Sequence, residues 1–137
     1  MDKTIKVREY SEYPGPRYVD QGEYSGEDFY HVVLNKAFVE VYKSGDILNV
    51  DLDNTAGYMS SFLDEAFGNL IYDFGKNIVE QHLHIISNQE QDWIEMLQNE
   101  SYPQWEQRRL KKEKPKKTVS HDEWFRLEEN VLKCQIW

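Results

Sequence analysis

The sequence predicts an α/β sandwich: one small mixed sheet with helices packed against it, followed by a C-terminal extension. Two observations carry that prediction. Apolar residues recur at helical spacing through 26–42 and again from Ser61, and short apolar runs bounded by turn residues lie at 47–52 and 83–87. Read together, the order strand, helix, strand, helix, strand, helix is that of a single sheet with helices laid on it.

The first strand is expected over Thr4–Tyr10, where Ile5 and Val7 alternate with Lys6 and Arg8. Tyr13-Pro14-Gly15-Pro16-Arg17 then breaks both ladder and helix. Ser25, three residues before Asp28, marks a helix start, and Phe29, Val32, Val33, Ala37, Phe38 and Val41 carry the helix to about Tyr42. Ser44-Gly45-Asp46 ends it. Ile47–Leu52 reads as a strand covered on both faces. The second helix opens at Ser60-Ser61 and runs through Phe62, Leu63, Ala66, Phe67, Leu70, Ile71 and Phe74 to Gly75, with Asp64 and Glu65 in its first turn. Leu83–Ser87 is the third strand and Gln91–Gln98 a short helix, after which Pro103 is expected to interrupt regular structure. Ser120 with Glu123 repeats the capping signature further on.

A chain of 137 residues suffices for one core, and the expected division is a domain over 1–100 with a basic linker and aromatic extension over 101–137. No run of about 18 apolar residues spans a membrane. The start of the chain lacks a secretory signal, and the single Cys134 rules out an intramolecular disulfide, so a cytoplasmic protein is expected. The net charge of −9 is unevenly spread. Residues 108–117 hold seven Lys/Arg against Glu113, or +6, which leaves −15 on the rest and disfavours broad nucleic-acid binding.

Three stretches resemble a known family. Gly15-Pro16-Arg17-Tyr18, then Ser25-Gly26-Glu27-Asp28-Phe29, then Asp51-Leu52-Asp53 leading to Ser60-Ser61-Phe62-Leu63-Asp64-Glu65-Ala66-Phe67-Gly68 follow the pattern of the STAS-like domain-of-unknown-function family of bacterial and phage proteins. That family is related to the STAS domains of anti-sigma factor antagonists. The resemblance covers about residues 10–97 and leaves the tail outside.

It implies a small STAS-like α/β fold and a non-enzymatic regulatory domain that binds a protein partner, an ATPase of the histidine-kinase-like type. Carried over by position, the phosphoacceptor falls on Ser60, with Ser61 beside it. Arg17, Tyr18, Asp64 and Glu65 are the implied partner-binding residues. The antagonists have Asp before the serine and Gly after the pair, where this chain has Met59 and Phe62. No catalytic residue, metal or cofactor is assigned.

Other constellations are weaker. Serines at a helix start ordinarily cap it, a contribution of about 1 kcal/mol. Asp51 and Asp53 share a strand face and suit a cation or acid–base work, yet strand-end carboxylates commonly accept loop N–H groups. His82 and His84 are expected on one strand face, a spacing that chelates zinc, although edge histidines are the commoner case. A triad assembled from Ser60 or Ser61, His31 and Asp51 lacks the small residues of a nucleophile elbow. Arg17 suits either a body carboxylate or an anion. The basic run, with Trp105 before it and Trp124 after it, suggests the alternative of a nucleic-acid-associated adaptor. All four tryptophans lie at or beyond position 93, as an interface anchor or a tail packed on the body would place them.

Overall fold

A computed structural model describes residues 1–136. Three parallel strands, β1 (Lys3–Lys6), β2 (Leu48–Asp51) and β3 (Leu83–Ile86), form a sheet in the order β1-β2-β3. The register pairs Ile5 with Val50 and Val50 with Ile85. Both crossovers add strands in the same direction, so connections of one hand leave their helices on one side. The burial alternation agrees: Leu48, Val50 and Ile85 are buried, whereas Thr4 and His84 are exposed. Coverage of β2 on both faces is therefore corrected. Asn49 and Asp51 face away from the helices and remain half-buried.

The first strand also stops early. Val7–Tyr10 (α1) is a helical turn closed by Ser11 N–H on Val7 O at 2.9 Å. That turn buries Val7 completely and brings Arg8 to Asp51.

Ser25 caps the next helix as its spacing predicts, accepting from Asp28 N–H at 3.0 Å. The helix continues as α2 (Gly26–Phe29), a wide π turn (Tyr30–Leu34) and α3 (Asn35–Ser44), and Gly45 ends it in the left-handed region at φ +76. α4 (Ser60–Phe74) is the central helix. Only Ser60, Ser61 and Asp64 in it escape full burial. α5 (Lys76–His82) returns the chain to β3.

Pro103 does not interrupt the following helix. α6 (Asp92–Met96) runs through a π turn (Leu97–Ser101) into α7 (Tyr102–Leu110), and Tyr102 N–H bonds Leu97 O across that turn. Proline lacks the N–H that an unbroken ladder needs, and the wide turn places it at the start of a new run where none is required.

The capping signature at Ser120 and Glu123 precedes no helix. Trp124–Glu128 (β4) and Val131–Gln135 (β5) form an antiparallel hairpin, its two turn residues Glu129 and Asn130 at φ +51 and +63. Positive φ at both central residues matches the twist of a two-residue hairpin, and the β-branched and aromatic content of the flanks sustains the strands. Both parallel and antiparallel pairing are thus present, in two separate sheets.

Side chains from beyond residue 100 contribute to the core. Tyr102, Trp105 and Trp124 are buried in the same cluster as Phe38, Phe62 and Phe67. Trp105 lies flat on Gly68, where an added Cβ would stand 2.1 Å from the indole. Asn35 clamps β4 by donating to Phe125 O and accepting from Phe125 N–H, at 2.9 and 3.0 Å. The tail is packed on the body. Trp137 lies outside the described residues.

Candidate functional site

The three sequence stretches meet at the start of α4. The backbone of Pro16 and Arg17 straps onto α2 through Gly26 N–H to Pro16 O (2.9 Å) and Glu27 N–H to Arg17 O (3.0 Å). Gly26 in turn presses on α4, and a Cβ there would sit 2.4 Å from the Phe62 carbonyl oxygen. Only glycine allows two backbones to approach so closely. From the same loop Arg17 reaches into α4, its Nη1 donating to Asp64 Oδ2 at 2.7 Å and Glu65 Oε1 at 3.2 Å.

Those contacts define what the implied partner-binding residues do within the fold. Asp64 also accepts from Ser101 Oγ at 2.6 Å and Trp105 Nε1 at 3.2 Å. Glu65 is 1% exposed and accepts from Asn69 Nδ2 at 2.8 Å; burial pushes its carboxyl up, offset in part by Asn69 and Arg17. Burial works against the Arg17 charge, but its hydrogen bonds to the two carboxylates and their charges outweigh it and raise its pKa. Arg17 is thus shared between the Asp64 and Glu65 carboxylates. Tyr18 stands apart, half-buried, with the Lys116 ammonium 4.9 Å from its ring centroid.

The serine pair behaves differently. Met59, not a serine, occupies the N-cap position, so no side chain caps the helix, and its own side chain is exposed. Capping by Ser60 or Ser61 is therefore corrected. Because the helix begins at Ser60, Asp64 and Glu65 fall in its second turn rather than its first. Ser60 is exposed and Ser61 half-buried, and neither hydroxyl makes a hydrogen bond among the described residues. The preceding loop is held by Tyr58 O–H on Leu52 O (2.7 Å) and Ala56 N–H on Glu12 O (2.7 Å). The result is an uncommitted hydroxyl on a rigid helix start.

Asp51 and Asp53 spend their lone pairs locally, as the commoner reading expects. Asp51 accepts from Arg8 Nη1 (3.1 Å) and Asp53 N–H (2.9 Å), while Asp53 accepts from the N–H groups of Asn88 and Gln89. His82 and His84 do not share a strand. His82 ends α5 with Nδ1 2.8 Å from Asp46 O, and only His84 lies in β3. Among the described residues no group of three or more His, Cys, Asp or Glu side chains is arranged to hold a metal.

One cluster escaped the sequence reading. Glu27 is fully buried and accepts from Val19 N–H (3.1 Å), Thr118 N–H (3.0 Å), Thr118 Oγ1 (2.7 Å) and His121 Nε2. Burial alone would raise its carboxyl, but these donors, His121 first, hold it down to about 2. His31 stacks on His121 with centroids 3.8 Å apart. Burial drives the His31 imidazole down to about 2, and neither ring nitrogen has a hydrogen-bond partner among the described residues. No spacing rule links residue 27 to residues 118 and 121. The only available signal was an acid inside the Ser-Gly-Glu stretch.

The aromatic residues of the basic segment are also occupied. Arg108 lies 4.0 Å over Trp105 and Lys117 4.9 Å over Trp124, and both rings are buried.

A three-stranded parallel sheet with helices packed against it, and the serine-headed α4 buried among those helices, is an α/β domain. The family model described as a STAS-like domain of unknown function (DUF4325) matches residues 25–93, half of the chain, and the chain belongs to that family. No curated protein and no solved structure matches it. No helix among the described residues is long and apolar enough to cross a membrane.

Proposed function

We propose that this STAS-like domain is a regulatory, non-enzymatic protein-binding module, switched by phosphorylation of Ser60, with Ser61 as the second acceptor. The observation that carries the reading is the exposed, unbonded Ser60 hydroxyl on the first turn of a helix that is otherwise buried. A phosphate there adds nearly two negative charges. The uncapped N–H groups and the positive dipole end tolerate that charge, so the fold survives it. A partner seated over Ser60 and the exposed Met59 side chain does not, because it must then desolvate the phosphate or oppose it with its own acids.

The partner is a histidine-kinase-like ATPase, which places the domain in the cytoplasm where ATP is available. Arg17 with Asp64 and Glu65 acts as the brace beneath the docking surface, holding α4 against the loop. Incubation of the full chain with such an ATPase from the same host and ATP, followed by peptide mass mapping, tests the acceptor. One phosphate on Ser60, absent in Ser60→Ala, is expected. No phosphate on either serine under turnover would remove the switch.

A further inference from the structure

α7 ends in a left-handed turn without a glycine. Glu113 N–H donates to Arg108 O at 2.9 Å and Lys112 N–H to Arg109 O at 3.1 Å, the paired bonds of a Schellman closure, and Lys112 holds φ +58 between them. Gly or Asn usually takes that position, because a larger side chain is strained there. Here it is a lysine.

That lysine lines a groove of about 460 Å³ between the end of α7 and the β4–β5 hairpin, together with Lys114 and Arg126; Glu128 and Glu129 lie at its hairpin side, where Lys133 pairs with Glu128 at 3.5 Å. An adjoining lobe of about 330 Å³ shares Lys114 and Arg126 and adds Lys117 and Trp124. Several of these charges are uncommitted. Lys112, Lys114 and Lys117 take part in no ion pair among the described residues. Arg126 is clamped by its Nε on Asp73 Oδ1 at 2.7 Å and lies 4.9 Å over the Tyr72 ring, and among the described residues its two terminal nitrogens make no hydrogen bond. Among the described residues the buried indole N–H of Trp124 has no acceptor. Burial lowers the pKa of Lys117, a cost that a bound anion would offset.

We propose that this two-lobed groove binds a small oligophosphate, with Lys112, Lys114 and Arg126 contacting the phosphates. A guanidinium fixed at one edge presents its remaining donors as a fork suited to phosphate oxygens, and the lysines act as point charges around it. Each lobe is of small-molecule size. A long polyanion fits less well. The −15 carried outside residues 108–117 repels an extended strand, and buried Trp105, Trp124 and Tyr72 offer no platform for stacked bases.

Isothermal titration of the full chain with tripolyphosphate, ATP, adenosine and oligothymidine tests the groove at low and at moderate salt. Tripolyphosphate and ATP are expected to bind, weakening as salt rises, and adenosine not to bind. ATP binding more tightly than tripolyphosphate identifies a nucleotide as the source; equal affinity identifies a free phosphate chain. Lys114→Ala should weaken binding roughly threefold to tenfold. Lys112→Gly should weaken it similarly while raising the melting temperature, because glycine relieves the turn. Absence of tripolyphosphate and ATP binding, unchanged affinity in both variants, or tighter binding of oligothymidine than of either would overturn the proposal.

Discussion

Replacing Glu27 by Gln isolates the strap that ties the C-terminal segment to the family domain. The carboxylate accepts on both oxygens: Oε1 from Val19 N–H and Thr118 Oγ1, Oε2 from Thr118 N–H and His121 Nε2. An amide in either orientation turns its NH₂ toward a backbone N–H, so one buried donor is left facing another. The charge is lost as well. A carboxyl held at about 2 against an ordinary 4.5 contributes about 3 kcal/mol at pH 7.

The sign follows from the direction. A depressed carboxyl stabilises fully above pH 4.5, and its contribution fades as pH falls toward 2. Urea unfolding of Glu27→Gln should therefore show a deficit of about 3 kcal/mol or more at pH 7. The linked part falls to about 2 kcal/mol at pH 3.5, and the deficit narrows with it. A deficit under about 0.5 kcal/mol at pH 7 refutes the strap, since that is the size of a neutral surface change.

Two further outcomes follow from the packing. Gly26→Ala places a methyl 2.4 Å from the Phe62 carbonyl oxygen, so the start of α4 must shift. A loss of about 1–3 kcal/mol in chemical denaturation is expected, and unchanged stability would show that α2 and α4 are not in close contact. His31→Phe removes an imidazole whose charging burial forbids. Its folded pKa of about 2 lies below the ordinary 6.5, so the parent loses stability as pH falls from 6.5, and the variant should resist acid better in a pH series of melting curves. Parallel acid profiles would contradict that burial.

The parts of the fold legible in the sequence were those written in local pattern. Ser25 and Gly45 bracket the first long helix because cap chemistry depends on neighbours in the chain. β2 followed from its short apolar run, although not which face it buries, and α4 from its apolar stripe. What stayed hidden depends on partners far away in sequence. Val7 leaves the strand pattern because its burial and Arg8's reach to Asp51 are tertiary. Pro103 stays within a helix because a π turn removes the need for its N–H. Ser120 with Glu123 matched a capping pattern, but Glu129-Asn130 could supply a hairpin turn and that turn decided the local structure. At the site, the serine pair and the Arg17 loop were readable as motifs. That Met59 would take the cap position, leaving both hydroxyls unbonded, required the helix to start one residue earlier than capping by Ser60 supposes.

The central claim is that a partner docks over Ser60 and that charge there controls docking. Its most direct measure is the dissociation constant of the ATPase partner for the parent chain, Ser60→Ala and Ser60→Asp, with circular dichroism confirming the fold of each. The account predicts parent-like affinity for the alanine variant and a loss of roughly tenfold or more for the aspartate, about 1.4 kcal/mol. Equal affinity of all three, in a folded chain that does bind, would contradict it.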